Sequence, residues 1–333
     1  MTVFTTIFDL VLALLTIGIA WRALNSHSMR DGVALFIALG VLVSLIWVRL
    51  EAPDLAIAEV AIGSGITGAL LMAAMHDLPT EVHSEQRPTR AVTIVVSVGT
   101  AILVMAMAFA FLTAVDSNVD SRLQSIVMDE LVNSGVSNPV TAVLLNYRSY
   151  DTLLELVVLI AAAAGIRALG IEMPAPKAVD PILNTLIAII VPALVLTSFY
   201  LLWVGAHAPG GAFQAGSVLA AAIVLSRLAG RDLLAHVPSW LLSWSLVLGA
   251  LVFLTVGLIM VFITEGFLQF PPDLAGALIL VIEFFAMLSI AAALVLAFAG
   301  GEAINENNPL NVIAISPDTE VSKSDLPIGN GHV

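Results

Sequence analysis

Five carboxylates and one histidine, Asp54, Glu59, Asp151, Glu155, Glu283 and His207, lie inside or at the ends of long apolar runs. Hydrocarbon offers no water to a carboxylate, so an acid deep in a spanning helix costs about 2.5 kcal/mol or more unless it is protonated, paired or facing a wet cavity. Glu59 is the clearest case, sitting within EAPDLAIAEVAIGSGITGALLMAAM (51–75) about a turn and a half beyond the expected helix start at Pro53. Glu51 and Asp54 stand at that helix N-terminus, where the macrodipole favours acids, so capping is the simplest reading of both. Glu283 falls well inside the last apolar run, at a depth of about 14 Å near the bilayer midplane. Asp151 and Glu155, four residues apart in NYRSYDTLLELVVL, share a helical face, and Arg148 stands just outside to offset their charge. His207, in GAHAPGGAFQAG, can relay protons near neutral pH or serve as a turn residue. The chemistry common to these side chains is the holding and release of a proton or a hard cation. A path of carboxylates suits both.

The elements that must position them are membrane helices. Nine apolar runs have spanning length: 4–24, 33–50, 53–75, 91–114, 152–169, 182–204, 211–228, 240–263 and 274–299. They are continuous rather than alternating, which excludes a transmembrane barrel. The fold class expected is therefore all-α, a polytopic membrane protein of about nine transmembrane helices. With the N-terminus outside, nine of the twelve Lys and Arg residues fall on inner loops and only Arg49, Arg122 and Arg148 on the outer side. This asymmetry predicts an N-out, C-in topology, which also leaves Asp9 at a solvated outer end.

Small residues mark where backbones approach. Ala61, Gly65 and Ala69 form one stripe, and Ala212, Gly216 and Ala220 another. Gly63, Gly65 and Gly68, beside Glu59, lower the cost of a backbone rearrangement in that helix. Gly210 and Gly211 permit a tight re-entry between two spans. Within 117–146, residues 123–131 have the character of a short surface helix.

Composition limits the function. The chain has 333 residues, 59% of them apolar and 11% charged, with a mean hydropathy of +1.04 and no cysteine. A net charge of −13 with only 12 basic residues argues against nucleic acid as a partner. The first run lacks a basic flank and a small-residue cleavage site, so it reads as a retained helix. No nucleotide motif, metal-ligand cluster or nucleophile–base pair appears. Enzymatic chemistry and a cofactor are therefore not expected. The seams divide the chain into a three-helix module with the intramembrane Glu (1–80), a two-helix module with an outer loop (81–172), a four-helix domain (173–300) and an acidic cytoplasmic tail (301–333).

At these motifs the sequence resembles the Mrp-type multisubunit Na+/H+ antiporter family and the related membrane-bound hydrogenase modules. APDLAIAE with the glycines that follow looks like the small module found behind that family's large A subunit. NYRSYDTLLE looks like the module adjoining it, and GAHAPGGAFQAG is similar to the MnhB-like domain of the family's B subunit. The first five helices resemble the complex I subunit that has a helix able to switch between regular and bulged forms. The resemblance implies a plasma-membrane subunit of an antiporter or complex I-like assembly, with sodium ion and proton as its ions and the bilayer as its surroundings. It also implies that Glu59, Asp151 and Glu155 lie on the ion path and that the helix from Pro53 is the one that switches. The rival reading is a structural assembly subunit whose acids contact its neighbours.

Overall fold

The computed structural model describes residues 2–26, 28–76, 89–116, 122–169, 181–230, 233, 237–264 and 266–299. Among these the chain is helical throughout. Helices α1 (Thr2–Leu24) and α2 (Met29–Arg49) form a hairpin, followed by α3 (Pro53–Ala58), a π-helical segment (Glu59–Ile66) and α4 (Thr67–His76). Then come α5 (Arg90–Asp116), the short α6 (Arg122–Glu130), a 3-10 turn (Leu131–Ser134), α7 (Pro139–Ala142), a second π segment (Val143–Tyr147) and α8 (Ser149–Leu169). The remainder is α9 (Pro181–Val204), α10 (Ala212–Leu228), α11 (Ser239–Thr264) and α12 (Pro272–Ala299). Among the described residues eight stretches are long and apolar enough to cross a membrane; α10, at 17 residues, is a shorter ninth.

Helix starts follow local chemistry. The Ser28 hydroxyl accepts the Asp31 N–H at 3.3 Å to cap α2. Pro53 and Pro139 occupy the first turns of α3 and α7, where a missing N–H costs nothing. The expected surface helix is α6, exposed along nearly all its length.

The core is built around α12, whose buried positions run from Ala275 to Ala299 and which packs on α8, α10 and α11. Helix α10 is almost as enclosed, lying between α9, α12 and the first π segment. Its length of about 26 Å falls short of a hydrocarbon core, and protein rather than lipid surrounds it. Close backbone approach makes this possible. A Cβ on Gly216 would lie 2.9 Å from the Met287 carbonyl oxygen, and one on Gly249 of α11 would lie 2.9 Å from the Ala286 Cα.

The run 53–75, expected as a helix able to switch between regular and bulged forms, contains eight residues of π-helix. A π turn closes i→i+5 rather than i→i+4 hydrogen bonds, so the side chains beyond it rotate out of α-helical register. The expected stripe of Ala61, Gly65 and Ala69 is accordingly broken: Ala69 packs against the core but Gly65 is exposed, and Ser64, Ile66 and Gly68 are buried. Gly68 fits against Ile37 of α2, where a Cβ would lie 2.7 Å from its side chain.

Candidate functional site

The loop 205–211, between α9 and α10, is where the chain's modules meet. It folds tightly because three glycines let backbone touch backbone: a Cβ on Gly205 would fall 2.6 Å from the Gly211 nitrogen, and one on Gly210 would fall 2.5 Å from the Leu201 carbonyl oxygen. Gly211 has φ 114°, a conformation that side-chain-bearing residues rarely adopt. From the middle of the chain, the Asn138 amide donates to the carbonyls of Gly205 (3.2 Å) and Ala208 (3.1 Å), and Thr141 donates to Gly205 at 2.6 Å. The N–H groups of Ser137 and Asn138 both reach the Ala206 carbonyl. Ser137 Oγ lies 3.1 Å from Nδ1 of His207, whose ring is exposed.

Two carboxylates close on the same loop. The Gly210 N–H donates to Asp54 Oδ1 at 3.0 Å, and the Gln214 side chain donates to the Asp54 carbonyl at 3.2 Å. Asp54 is therefore a buried tie between α3 and the start of α10, not a cap of its own helix; no side chain caps α3. On the other flank the Ala212 N–H donates to Glu283 Oε1 at 3.3 Å. Glu283 is only 2% exposed, and its second oxygen has no partner among the described residues.

Glu59 opens the first π segment and is half-buried. Its carboxyl folds back over Gly63, occupying the space a Cβ there would need, and Oε1 lies 3.4 Å from where a Cβ on Gly40 would stand. Two glycines on neighbouring helices thus make the slot for this acid. Ser64 sits over the same Gly40, buried and with its hydroxyl unpartnered among the described residues. Gly40 and Ser64 escape a reading of the sequence, because neither is unusual in an apolar helix until the π register brings them beside the carboxyl. Thr67 Oγ1 donates to the Ile62 carbonyl at 2.7 Å at the end of the segment.

Asp151 and Glu155 lie elsewhere. Asp151 pairs with Arg148, and Glu155 is exposed on the outer side of α8, whose Leu153 and Leu156 face the core. The second π segment precedes them, and Thr152 donates to the freed Leu144 carbonyl at 2.6 Å. Asp9, expected as a solvated end, is exposed and forms a two-pronged pair with Arg49 at 2.7 and 3.0 Å. The candidate residues therefore fall into three groups: Glu59 with its glycines, Asp54 and Glu283 about the start of α10 with His207 on the same loop, and Asp151 with Glu155.

The profile of the MbhD family, the D subunit of MBH, matches residues 14–80, and the profile "Domain related to MnhB subunit of Na+/H+ antiporter" (MnhB) matches residues 182–303. The chain is 31% identical over 133 residues to the Na(+)/H(+) antiporter A subunit of Alkalihalophilus pseudofirmus, covering 39% of this chain and 16% of that protein. It is 26% identical over 161 residues to the corresponding A subunit of Bacillus subtilis, covering 48% of this chain and 20% of that protein. The chain thus matches a fifth or less of the length of these curated relatives. In fold it is similar to a chain in the structure of the Mrp complex from Dietzia sp. DQ12-45-1b, with a TM-score of 0.72 and 24% identity over 90% of this chain and 35% of that one. The chain is thus a multi-pass membrane protein in which a region matching the MbhD model and a region matching the MnhB-related model share one polypeptide.

Proposed function

We propose that the chain is a plasma-membrane subunit of a multisubunit cation/proton antiporter and that its carboxylates form part of a Na+/H+ path. The observation that carries this reading is Glu59, an intramembrane acid held at the start of a π segment between Gly40 and Gly63. A π segment is a higher-energy local form stabilised by its surroundings. Return to α-helix would re-aim the carboxyl, and the glycines ease that change. Glu59, Asp54 and Glu283 serve the inner part of the path, His207 its relay at the loop, and Asp151 with Glu155 an entrance. Gly63, Gly65 and Gly68 belong to the switching helix, whereas Gly210, Gly211 and Gly216 are packing positions. Sodium and protons are the ions, and larger membrane subunits are the partners. The chain itself is not an enzyme. Its working divisions are 1–80, 81–172, 173–300 and the tail from 301, with the N-terminus outside and the tail inside.

The test is cation-dependent proton movement in vesicles holding the assembled complex. Glu59→Gln keeps shape and hydrogen bonding but cannot titrate, so the complex is expected to assemble and lose most exchange. Native exchange rates in that variant across the pH range would remove Glu59 from the path. The alternative, an assembly role in a hydrogenase or complex I-like machine, is favoured by Asp54, whose hydrogen bond ties two domains together. That reading requires loss of assembly, not only of transport, when the acids are neutralised.

A further inference from the structure

Glu283 lies eleven residues beyond the start of α12 at Pro272 and is walled by Ile279, Ile282, Ala286 and Met287, all buried. One oxygen accepts a single N–H, from Ala212, and the other accepts nothing among the described residues. An ionised carboxylate so placed is expensive, because a charge in an apolar interior needs a counter-charge or several donors. Two residues away along the same turn, the Gly210 N–H already serves a second carboxylate, Asp54. The N-terminus of α10 offers roughly half a positive charge, enough to favour one anion. Two anions on neighbouring amides would repel strongly at low dielectric.

We propose that Glu283 and the Gly210–Ala212 amides form a buried proton-binding site shared with Asp54, in which the single proton resides on Glu283 Oε2. A hard cation requires a shell of several oxygens, and no group of three or more His, Asp or Glu side chains that could hold a metal ion is found among the described residues. A proton requires only Oε2. Asp54, whose Oδ1 accepts the Gly210 N–H, is the other carboxylate of the pair. Gly211 belongs to the site for a steric reason: a Cβ there would lie 2.9 Å from Glu283 Oε1. The other titratable groups on the elements packed about the site are Asp273 on α12 itself, Tyr147 on the second π segment, Tyr150, Asp151, Glu155 and Arg167 on α8, Tyr200 on α9, His207 on the loop, Arg227 on α10 and Glu59 on the first π segment; α11 carries none. Glu283 Oε2 is within hydrogen-bond range of none of them.

This deepens the proposed role of Glu283 in the ion path and rests on that reading for its use, but the site itself needs no transport to be detected. The experiment is infrared difference spectroscopy on the purified full chain, or its complex, in lipid at neutral pH. The protein carries a protonated carboxyl, seen as a carboxylic C=O stretch that shifts in D2O and shifts again when glutamate is carboxyl-labelled with carbon-13. The label identifies a glutamate without mutation, so a misfolded variant cannot mislead. The band is expected to vanish in Glu283→Gln, and to persist in Asp54→Asn with a displaced frequency because the shared amides rearrange. A band insensitive to glutamate labelling, or one retained at full strength in folded Glu283→Gln, would overturn the site. Loss of the band in Asp54→Asn alone would place the proton on Asp54 and overturn the assignment equally. A positive band with normal cation exchange in Glu283→Gln would leave the proton site standing and remove only Glu283's place on the path.

Discussion

A buried carboxylate is informative in proportion to what its two oxygens do. Glu59 has its carboxyl in a slot between two glycines, Asp54 gives an oxygen to a backbone N–H of another domain, and Glu283 leaves one oxygen unpartnered among the described residues. These differences separate the outcomes of substitution. Glu59→Asp shortens the reach by one methylene while keeping titration, so some exchange with an altered pH profile is expected, measured as proton movement against pH. Asp54→Ala strips the Gly210 N–H of its acceptor in a buried place. An orphaned buried donor costs about 1–3 kcal/mol, and a lowered unfolding temperature in detergent should follow; an unchanged one would mean that water replaces the carboxylate. The sequence exposed all three acids, because an acid in an apolar run is conspicuous. It could not assign Asp54, whose position in a first turn fits a cap equally well, since the amide it serves lies 156 residues away. Gly40 and Ser64 were illegible for the same reason: their meaning comes from a neighbouring helix.

At the scale of elements, hydropathy located the spanning helices well, because each must supply its own backbone hydrogen bonds in lipid. What it could not reveal was hydrogen-bond periodicity within a run. The π segments at Glu59–Ile66 and Val143–Tyr147 lie in runs as apolar as the α-helices around them, and the first was signalled by the glycines beside Glu59 and by the resemblance to a helix that switches between regular and bulged forms. That segment makes a specific prediction. Gly63→Ala places a methyl where the Glu59 carboxyl now lies, and because the obstacle is the end of a flexible side chain, the acid swings away while the helix survives. Assembly should therefore be retained and exchange impaired, whereas wild-type exchange would show that the acid's present position is immaterial. Helix packing behaves differently. At Gly216 the obstacles are the Ile290 side chain near its root and the Met287 carbonyl, none of which can step aside. Gly216→Ala must push α10 from α12, an overpacking cost of about 1–3 kcal/mol, readable as a lower thermal midpoint.

For the whole molecule, the question is what covers it and which way it faces. Helix α5 is apolar and exposed on every described side, and α1 packs chiefly on α2, so much of the chain's surface is left to lipid or larger subunits. Mild-detergent purification is expected to bring down other membrane subunits, and full exchange activity from the isolated chain in liposomes would contradict the proposed assembly. Orientation follows from which ends lie together. Ser137 and Asn138 bond Ala206, Asp54 bonds Gly210, and Gly135 touches Gly276 so closely that a Cβ on Gly276 would lie 2.6 Å from its oxygen. These contacts gather the start of α3, the segment before α7, the loop before α10 and the start of α12 at one end of the bundle. Among the described residues Arg49, Arg122 and Arg148 are the basic residues on that side, and Arg22, Arg30, Arg90, Arg167 and Arg227 stand at the opposite helix ends, so the gathered end is the outer one if the basic loops stay inside. The chain has no native cysteine, so a single introduced thiol reports alone. Ser137 and Thr89 are both exposed, and the proposed topology puts them on opposite sides of the membrane. An impermeant maleimide should label Ser137→Cys in intact cells and Thr89→Cys only after permeabilisation. The reverse pattern would invert the molecule, and with it the side of the proposed entrance at Asp151 and Glu155.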